Sequence, residues 1–331
     1  VGEVVAMLGK LQSFVIAPHF EGEPGRSSLD GMAVVTDKAA GLVMYIPRNL
    51  LLDADVVSVL NSGTPIVCHD AKPLMRALLN DSVDLLHLSI DTAIASYLVN
   101  PSRSSYSLAA VSIDVLGREP TTSSESDGQF DFAGTDDAVR ACAEEAFFTS
   151  LIEPVITQQL EAIHNESLYA DIENPLVRVL AKMEHVGIAV DRKELESIRD
   201  RLTAETLELT QTLHGIAGRI FNLNSPTQLR EILYTEHGLT PGKKTKTGFS
   251  TDAATLEKLH DAWPEFIGPL LRFREVEKLR STYGEGLLSE VAEDDRIHAT
   301  FNQTVARTGR LSSDQPNLHN IPVRTDEGRV F

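Results

Sequence analysis

The first 150 residues combine short apolar runs with stretches of helical periodicity. Three apolar runs predict strands, the second of them folded as a hairpin around a polar turn: 13–17, 32–47 and 65–68. Apolar residues recur at helical spacing in three further stretches: 53–60, 82–99 and 133–148. A helix is also predicted to start at Pro73. This alternation of strand and helix patterns predicts an α/β domain.

From residue 152 onward, the pattern changes to long amphipathic helices. Over residues 191–216, apolar side chains follow steps of three, four or seven, and Asp191 with Glu194 forms a capping-box pattern at the start. Ser225 is the expected N-cap of a helix over 226–234. Further helices are predicted over 253–260 and 263–288. Residues 297–331 lack helical periodicity and are expected to form strand and loop.

The length of 331 residues suits two domains, which we place at residues 1–150 and 151–331. No apolar run approaches the roughly 18 residues of a membrane span, so no membrane partner is expected. Cys68 and Cys142 lie outside any metal-binding spacing, which favours a reducing, cytoplasmic location. Because the chain starts at Val1 and ends within a basic segment, we expect it to be part of a longer protein.

The net charge of −18 would by itself argue against nucleic-acid binding, but the charge is unevenly distributed. Residues 1–240 contain 17 basic and 34 acidic residues, whereas residues 241–331 contain 13 and 14. Any surface that binds a polyanion is therefore expected in the C-terminal third.

Residues 303–331 read QTVARTGRLSSDQPNLHNIPVRTDEGRVF, and this string closely resembles the segment leading into the palm of family A DNA polymerases, the bacterial DNA polymerase I group. Four upstream stretches follow in the order and spacing of that family's thumb: 174–191, 221–229, 243–251 and 278–283. The resemblance implies an RNase H-like 3′–5′ exonuclease-like domain, then a mainly α-helical thumb and the first strands of the palm.

A polymerase holds duplex DNA by its phosphates, which requires basic and polar side chains on loops and helix ends. The resemblance and the residue types together indicate these DNA-binding candidates: Lys243, Lys244, Lys246, Lys278, Arg280 and Thr282. An ordinary solvated charged loop is the alternative for the lysines. A phosphate-binding loop is excluded, because GKKTKTG lacks the GxxxxGK[ST] spacing.

Three further residues take roles only from the resemblance. Arg310 matches the arginine that reaches the minor groove at the primer terminus, with a surface salt bridge as the alternative. Asn317 matches a polar residue on the template side, and Arg324 a basic residue near the incoming triphosphate. His319 stands where many relatives carry Gln.

In the family, palm carboxylates hold two Mg²⁺ ions and a fingers helix binds the dNTP. The Asp-Tyr-Ser type motif of the palm is absent from this sequence. We therefore expect Mg²⁺, primer–template DNA and dNTPs to be ligands of the intact, monomeric DNA polymerase, whose role is replication and repair. No metal is expected on these 331 residues, nor polymerase activity by them alone.

The exonuclease of this family uses four carboxylates around two metal ions. In register, the expected positions hold Ala17, His19 and Leu74, and only Asp136 is acidic, with Phe132 in place of the expected Tyr. We expect this domain to be catalytically silent, and an ordinary surface position on a helix is the favoured interpretation of Asp136. The alternative functions are a non-catalytic DNA-binding or scaffold protein and a working 3′–5′ exonuclease.

Overall fold

A five-stranded mixed sheet organises the N-terminal part of the chain, in the order β3-β2-β1-β4-β5. Its strands have these bounds: β1 Phe14–Phe20, β2 Leu29–Asp37, β3 Leu42–Pro47, β4 Ile66–Cys68 and β5 Leu88–Asp91. Strand β2 is antiparallel to both of its neighbours, β1 and β3, whereas β4 and β5 run parallel to β1. The predicted hairpin over 32–47 is confirmed by the pairing of β2 with β3.

The computed structural model describes residues 1–120, 135–245, 248–321 and 328–330. The chain forms two compact units: one comprises Val1–Gly187 with Ala299–Asp314, the other Ile188–His298 with Gln315–Phe331. The boundary placed at residue 150 falls inside a continuous helix, so the first unit extends further along the chain than the predicted domain. Phe132 and most of the predicted loop at 117–131 lie outside the described residues.

The helices are α1 Gly2–Leu8, α2 Arg48–Leu51, α3 Ala54–Leu60, α4 Ala71–Asn80, α5 Thr92–Val99, α6 Leu108–Leu116, α7 Thr135–Ala162, α8 Glu166–Leu168, α9 Asn174–Val186, α10 Arg192–Ala217, α11 Pro226–Arg230, α12 Ala253–Leu259, α13 Pro264–Lys278 and α14 Gly286–Ser289. The shorter strands are β6 Ile188–Ala189, β7 Lys244–Thr245, β8 Gly248–Phe249, β9 Arg296–Ile297, β10 Thr300–Asn302 and β11 Ser312–Asp314. Three π-helical segments extend neighbouring helices: Tyr169–Glu173, Glu231–Glu236 and Leu279–Glu285.

Helix α7 covers one face of the sheet in the first unit. Cys142 and Ala146 of this helix are buried against Ala17 of β1 and Ala33 of β2. Small side chains on both surfaces allow the helix to approach the strands closely, which closes this face of the sheet.

The predicted helix over 82–99 is wrong in its first half. Residues Leu88–Asp91 form strand β5, and α5 starts only at Thr92. The change occurs at Asp91, whose side chain accepts hydrogen bonds from the main-chain N–H groups of Ala93 and Ile94 and so caps the helix.

Helix α10 is the longest element of the second unit and confirms the periodicity over 191–216. The Asp191 side chain accepts a hydrogen bond from Glu194 N at 3.1 Å, and Gly218, with φ of 70°, ends the helix in the left-handed conformation. Helix α10 packs on α13, and Leu213, Phe266 and Leu270 are fully buried in the core that α10 and α13 contribute to. Within the described ranges, no helix has the length and apolar character needed to cross a membrane.

Candidate nucleic-acid interface

The predicted basic loop is a short hairpin in the second unit, formed by β7 and β8. Lys243 and Lys244 are exposed, and the carbonyl of Lys243 accepts a hydrogen bond from Ser250 N at 2.8 Å. Lys244 pairs in register with Phe249, whose ring packs edge-on against Tyr234 at 5.7 Å. The backbone that carries the two lysines is thus anchored while their side chains stay in solvent. Lys246 lies outside the described residues.

The second basic group lies where α13 continues into the π-helical segment Leu279–Glu285. Lys278 and Thr282 are exposed and four residues apart. Arg280 instead donates two hydrogen bonds to Glu277, at 2.8 and 2.9 Å, and a third to Glu285. These carboxylates raise the pKa of Arg280, with the hydrogen bond to Glu277 as the main cause. Arg280 is therefore already ion-paired, whereas Lys278 and Thr282 point outward.

Asn317 belongs to the same unit as Lys278 and Thr282. It is exposed and directly precedes the 3₁₀ turn Leu318–Asn320. The buried Tyr283 donates its hydroxyl hydrogen bond to the carbonyl of Asn320, which fastens this turn to the π-helical segment. Arg324, the predicted nucleotide-binding residue, lies outside the described residues.

Arg310 belongs to the first unit, in the loop that joins β10 to β11. It is exposed and forms no ion pair with any residue that the structure describes. Gly309 precedes it with φ of 74°, and the N–H of Gly309 donates to the carbonyl of Ala306 at 3.2 Å, closing a turn. The alternative interpretation of Arg310 as half of a surface salt bridge is not supported among these residues.

The positions implied for exonuclease carboxylates contain no acidic side chain among those described. Ala17 is buried under α7, and its carbonyl accepts a hydrogen bond from the Cys142 thiol at 3.3 Å. His19 Nδ1 lies 2.8 Å from the Tyr45 hydroxyl, and Leu74 is fully buried. Asp136 lies in α7, but its side chain is outside the described set. Throughout the ranges described, no three His, Cys, Asp or Glu residues come together as a metal site would require.

A family model described as DNA polymerase family A matches residues 192–331. This stretch is therefore similar to the DNA polymerases of family A. The match includes the hairpin lysines, the end of α13 and the loop of Arg310.

The similarity to polymerases of this family extends over most of the chain. DNA polymerase I of Mycobacterium tuberculosis is 38% identical over 309 residues, which is 91% of this chain and 34% of that protein. DNA polymerase I of Bacillus subtilis is 35% identical over 306 residues, with 90% and 34% covered. The chain therefore spans about a third of the length of these relatives.

A solved structure gives the same result for the fold. The POL domain of Pol1 from M. smegmatis, in complex with DNA primer-template and dNTP, matches 99% of this chain with a TM-score of 0.87 and 34% identity. This chain covers 56% of that polymerase chain. The resemblance to family A DNA polymerases inferred from the sequence is confirmed.

Sequence reasoning missed two polar clusters in the first unit. In one, the Glu184 carboxylate of α9 is buried and accepts hydrogen bonds from Lys72, from Arg76 at 3.2 Å and from Phe301 N at 2.8 Å. Lys72 also donates to the carbonyl of Phe301 at 2.7 Å. Each of these hydrogen bonds joins two residues that are more than 100 positions apart in the sequence. No local sequence pattern therefore indicates the cluster.

The other missed cluster is centred on Asp91, which is 1% exposed. Its carboxylate accepts from four main-chain N–H groups, those of Asp70, Ala71, Ala93 and Ile94. Burial raises the pKa of Asp91, and these hydrogen bonds oppose that rise. Asp70 is the N-cap residue of α4, but its own side chain makes no capping hydrogen bond.

Proposed function

We propose that this chain is the duplex-gripping portion of a DNA polymerase I type enzyme that acts in replication and repair. Its parts would be a degenerate RNase H-like exonuclease domain and a thumb with the first palm strands. The observation that carries the proposal is the set of exposed basic and polar side chains on anchored backbone within the family A region: Lys243, Lys244, Lys278, Thr282, Arg310 and Asn317. The polymerase of similar fold was solved with primer-template and dNTP.

The proposed chemistry is sequence-independent binding of the phosphate backbone. Flexible lysines at an anchored hairpin and at a helix end can each neutralise a phosphate and release a counterion. Arg310 would donate hydrogen bonds to purine N3 and pyrimidine O2 in the minor groove, which tests the shape of a base pair without reading the base. Arg280 has the weakest support, because a phosphate would have to compete with Glu277 and Glu285.

We also propose that neither Mg²⁺-dependent reaction of the family occurs on these 331 residues alone. The sequence lacks the palm motif, and Ala17, His19 and Leu74 occupy positions where the nuclease requires carboxylates. The donor set present here does not fit a pair of Mg²⁺ ions. Primer extension with Mg²⁺, or Mn²⁺-dependent removal of 3′ nucleotides that Asp136→Ala abolishes, would contradict this part of the proposal.

The binding proposal is tested by fluorescence anisotropy of the 331-residue chain on a labelled primer–template across a salt series. The logarithm of the affinity is expected to fall with the logarithm of salt concentration, by about 0.9 per phosphate contact. The variant Lys243→Glu with Lys244→Glu should weaken binding and lower this slope by about 2.

The matched control is Lys193→Glu, which makes the same charge change at one exposed lysine of α10 outside the proposed interface. It should leave the slope within about 0.5 of the wild-type value. An affinity that is independent of salt would contradict the proposed contacts. So would a control variant whose single charge reversal lowers the slope by half as much as the two reversals in the hairpin variant do.

A further inference from the structure

We propose that Tyr97, in the exonuclease-like part of the first unit, is a positioning residue for Arg310. It would hold the loop between β10 and β11 in the one conformation that presents the guanidinium to the primer terminus. This inference rests on the proposed function of Arg310 in DNA binding.

The Tyr97 hydroxyl makes two main-chain hydrogen bonds to this loop. It donates to the carbonyl of Ala306 at 2.7 Å and accepts from the N–H of Gly309 at 3.1 Å. One hydroxyl thereby closes both ends of the turn that immediately precedes Arg310. A main-chain hydrogen bond from Gly309 to Ala306 completes the turn.

The tyrosine is itself held rigidly. Tyr97 lies in α5 and is 3% exposed, and its ring meets that of Tyr106 edge to face at 5.6 Å. By contrast, Val305, Arg307 and Thr308 of the loop are exposed. A fixed hydroxyl therefore contacts a loop whose own side chains contribute little packing, so the hydroxyl limits the conformations that the loop can adopt.

The same unit also anchors the start of the loop. Gln303 is buried and donates to the Glu173 carboxylate at 2.7 Å, and Lys72 and Glu184 hold both main-chain polar groups of Phe301. Among the described residues, the side chain that donates to or accepts from the main chain of the turn between Gln303 and Arg310 is that of Tyr97. The exonuclease-like part thus serves as the platform for a residue of the polymerase site.

The test compares the wild-type chain, Tyr97→Phe, Arg310→Ala and the double variant on two primer–templates. One carries adenine at the primer 3′ end and the other carries 3-deazaadenine, which lacks the minor-groove N3 acceptor. Tyr97→Phe keeps the ring and removes both hydrogen bonds, so affinity for the natural primer should fall about five-fold. The preference for the natural terminus should also disappear, and Tyr97→Phe should have no further effect once Arg310 is Ala.

The matched control is Tyr106→Phe, which removes a hydroxyl that donates to the Asn100 carbonyl and not to the loop. It should leave affinity and terminus preference unchanged. If Tyr97→Phe retains the full preference while Arg310→Ala loses it, the role of Tyr97 is overturned and the role of Arg310 stands. If Arg310→Ala itself leaves affinity and preference unchanged, the proposed function of Arg310 fails.

A second measurement does not depend on DNA. With glycine-selective ¹⁵N labelling, the amide of Gly309 should exchange about ten-fold faster with solvent in Tyr97→Phe than in the wild-type chain. Equal exchange rates in the two proteins would overturn the positioning role.

Discussion

Glu184 offers the sharpest test of the packing in the first unit. Its carboxylate is 3% exposed and is paired with Lys72 and Arg76, whose side chains are 12% and 10% exposed. Replacing Glu184 with Ala removes the carboxylate that Lys72, Arg76 and the Phe301 N–H share, although Lys72 keeps its hydrogen bond to the Phe301 carbonyl. Removing one partner of a buried ion pair typically costs about 3–5 kcal/mol, because the remaining charge cannot be solvated.

Asp84 provides the matched control, since it is also paired with two cations. Its side chain is 33% exposed and contacts Arg178 at 2.8 Å and Lys182 at 2.6 Å. Asp84→Ala should therefore cost only about 1 kcal/mol, as expected for surface ion pairs. The assay is urea denaturation followed by far-ultraviolet circular dichroism, with the slope of each transition compared to that of wild type. Equal losses in the two variants, or a loss below about 1 kcal/mol for Glu184→Ala, would refute this reasoning.

Further predictions concern pH and glycine positions. Hydrogen bonding from Arg178 lowers the pKa of Asp84 in the folded chain. The ionised Asp84 therefore contributes its full stabilisation of the fold above the pKa that an Asp has in the unfolded chain, and this contribution is lost as the pH falls below about 4. The stability difference between wild type and Asp84→Asn should shrink over that range, and a constant difference would contradict the assignment. Gly31→Ala should lower the melting temperature, because a Cβ there would lie 2.4 Å from the Tyr45 hydroxyl. Gly215 lies at an exposed position of α10 with open space around it, so Gly215→Ala should instead stabilise the chain by about 0.5–1 kcal/mol, and a lower melting temperature would count against this expectation.

Local patterns predicted the long helices of the second unit well. Helix α10 was expected over 191–216 and is found at Arg192–Ala217, because its periodicity is uninterrupted and both ends carry their own signals, Asp191 and Gly218. Strand β5 was missed for the opposite reason. It is four residues long and exists through pairing with Ile66–Cys68, which lies about 20 residues earlier in the chain.

The exposed residues of the candidate interface could be predicted where local sequence decides their exposure. Contacts with residues distant in the sequence could not be predicted. The hairpin lysines lie in a polar, glycine-containing loop and are exposed as expected. The ion pair of Arg280 with Glu277 spans three positions, a spacing that places side chains next to each other on a helix, so the sequence could have indicated it. The contact of Tyr97 with Gly309 joins residues 212 positions apart, and a single sequence carries no signal for such a pair.

Amide hydrogen exchange of the chain with and without a primer–template shows whether residues 192–331, which match the family A model, bind duplex DNA as proposed. We expect slower exchange on duplex binding in peptides covering 243–250, 278–283 and 303–317, and no change in α1, Gly2–Leu8. If a saturating concentration of duplex leaves the exchange rates of those three segments unchanged, or slows exchange only within residues 1–120, the proposed DNA binding is contradicted.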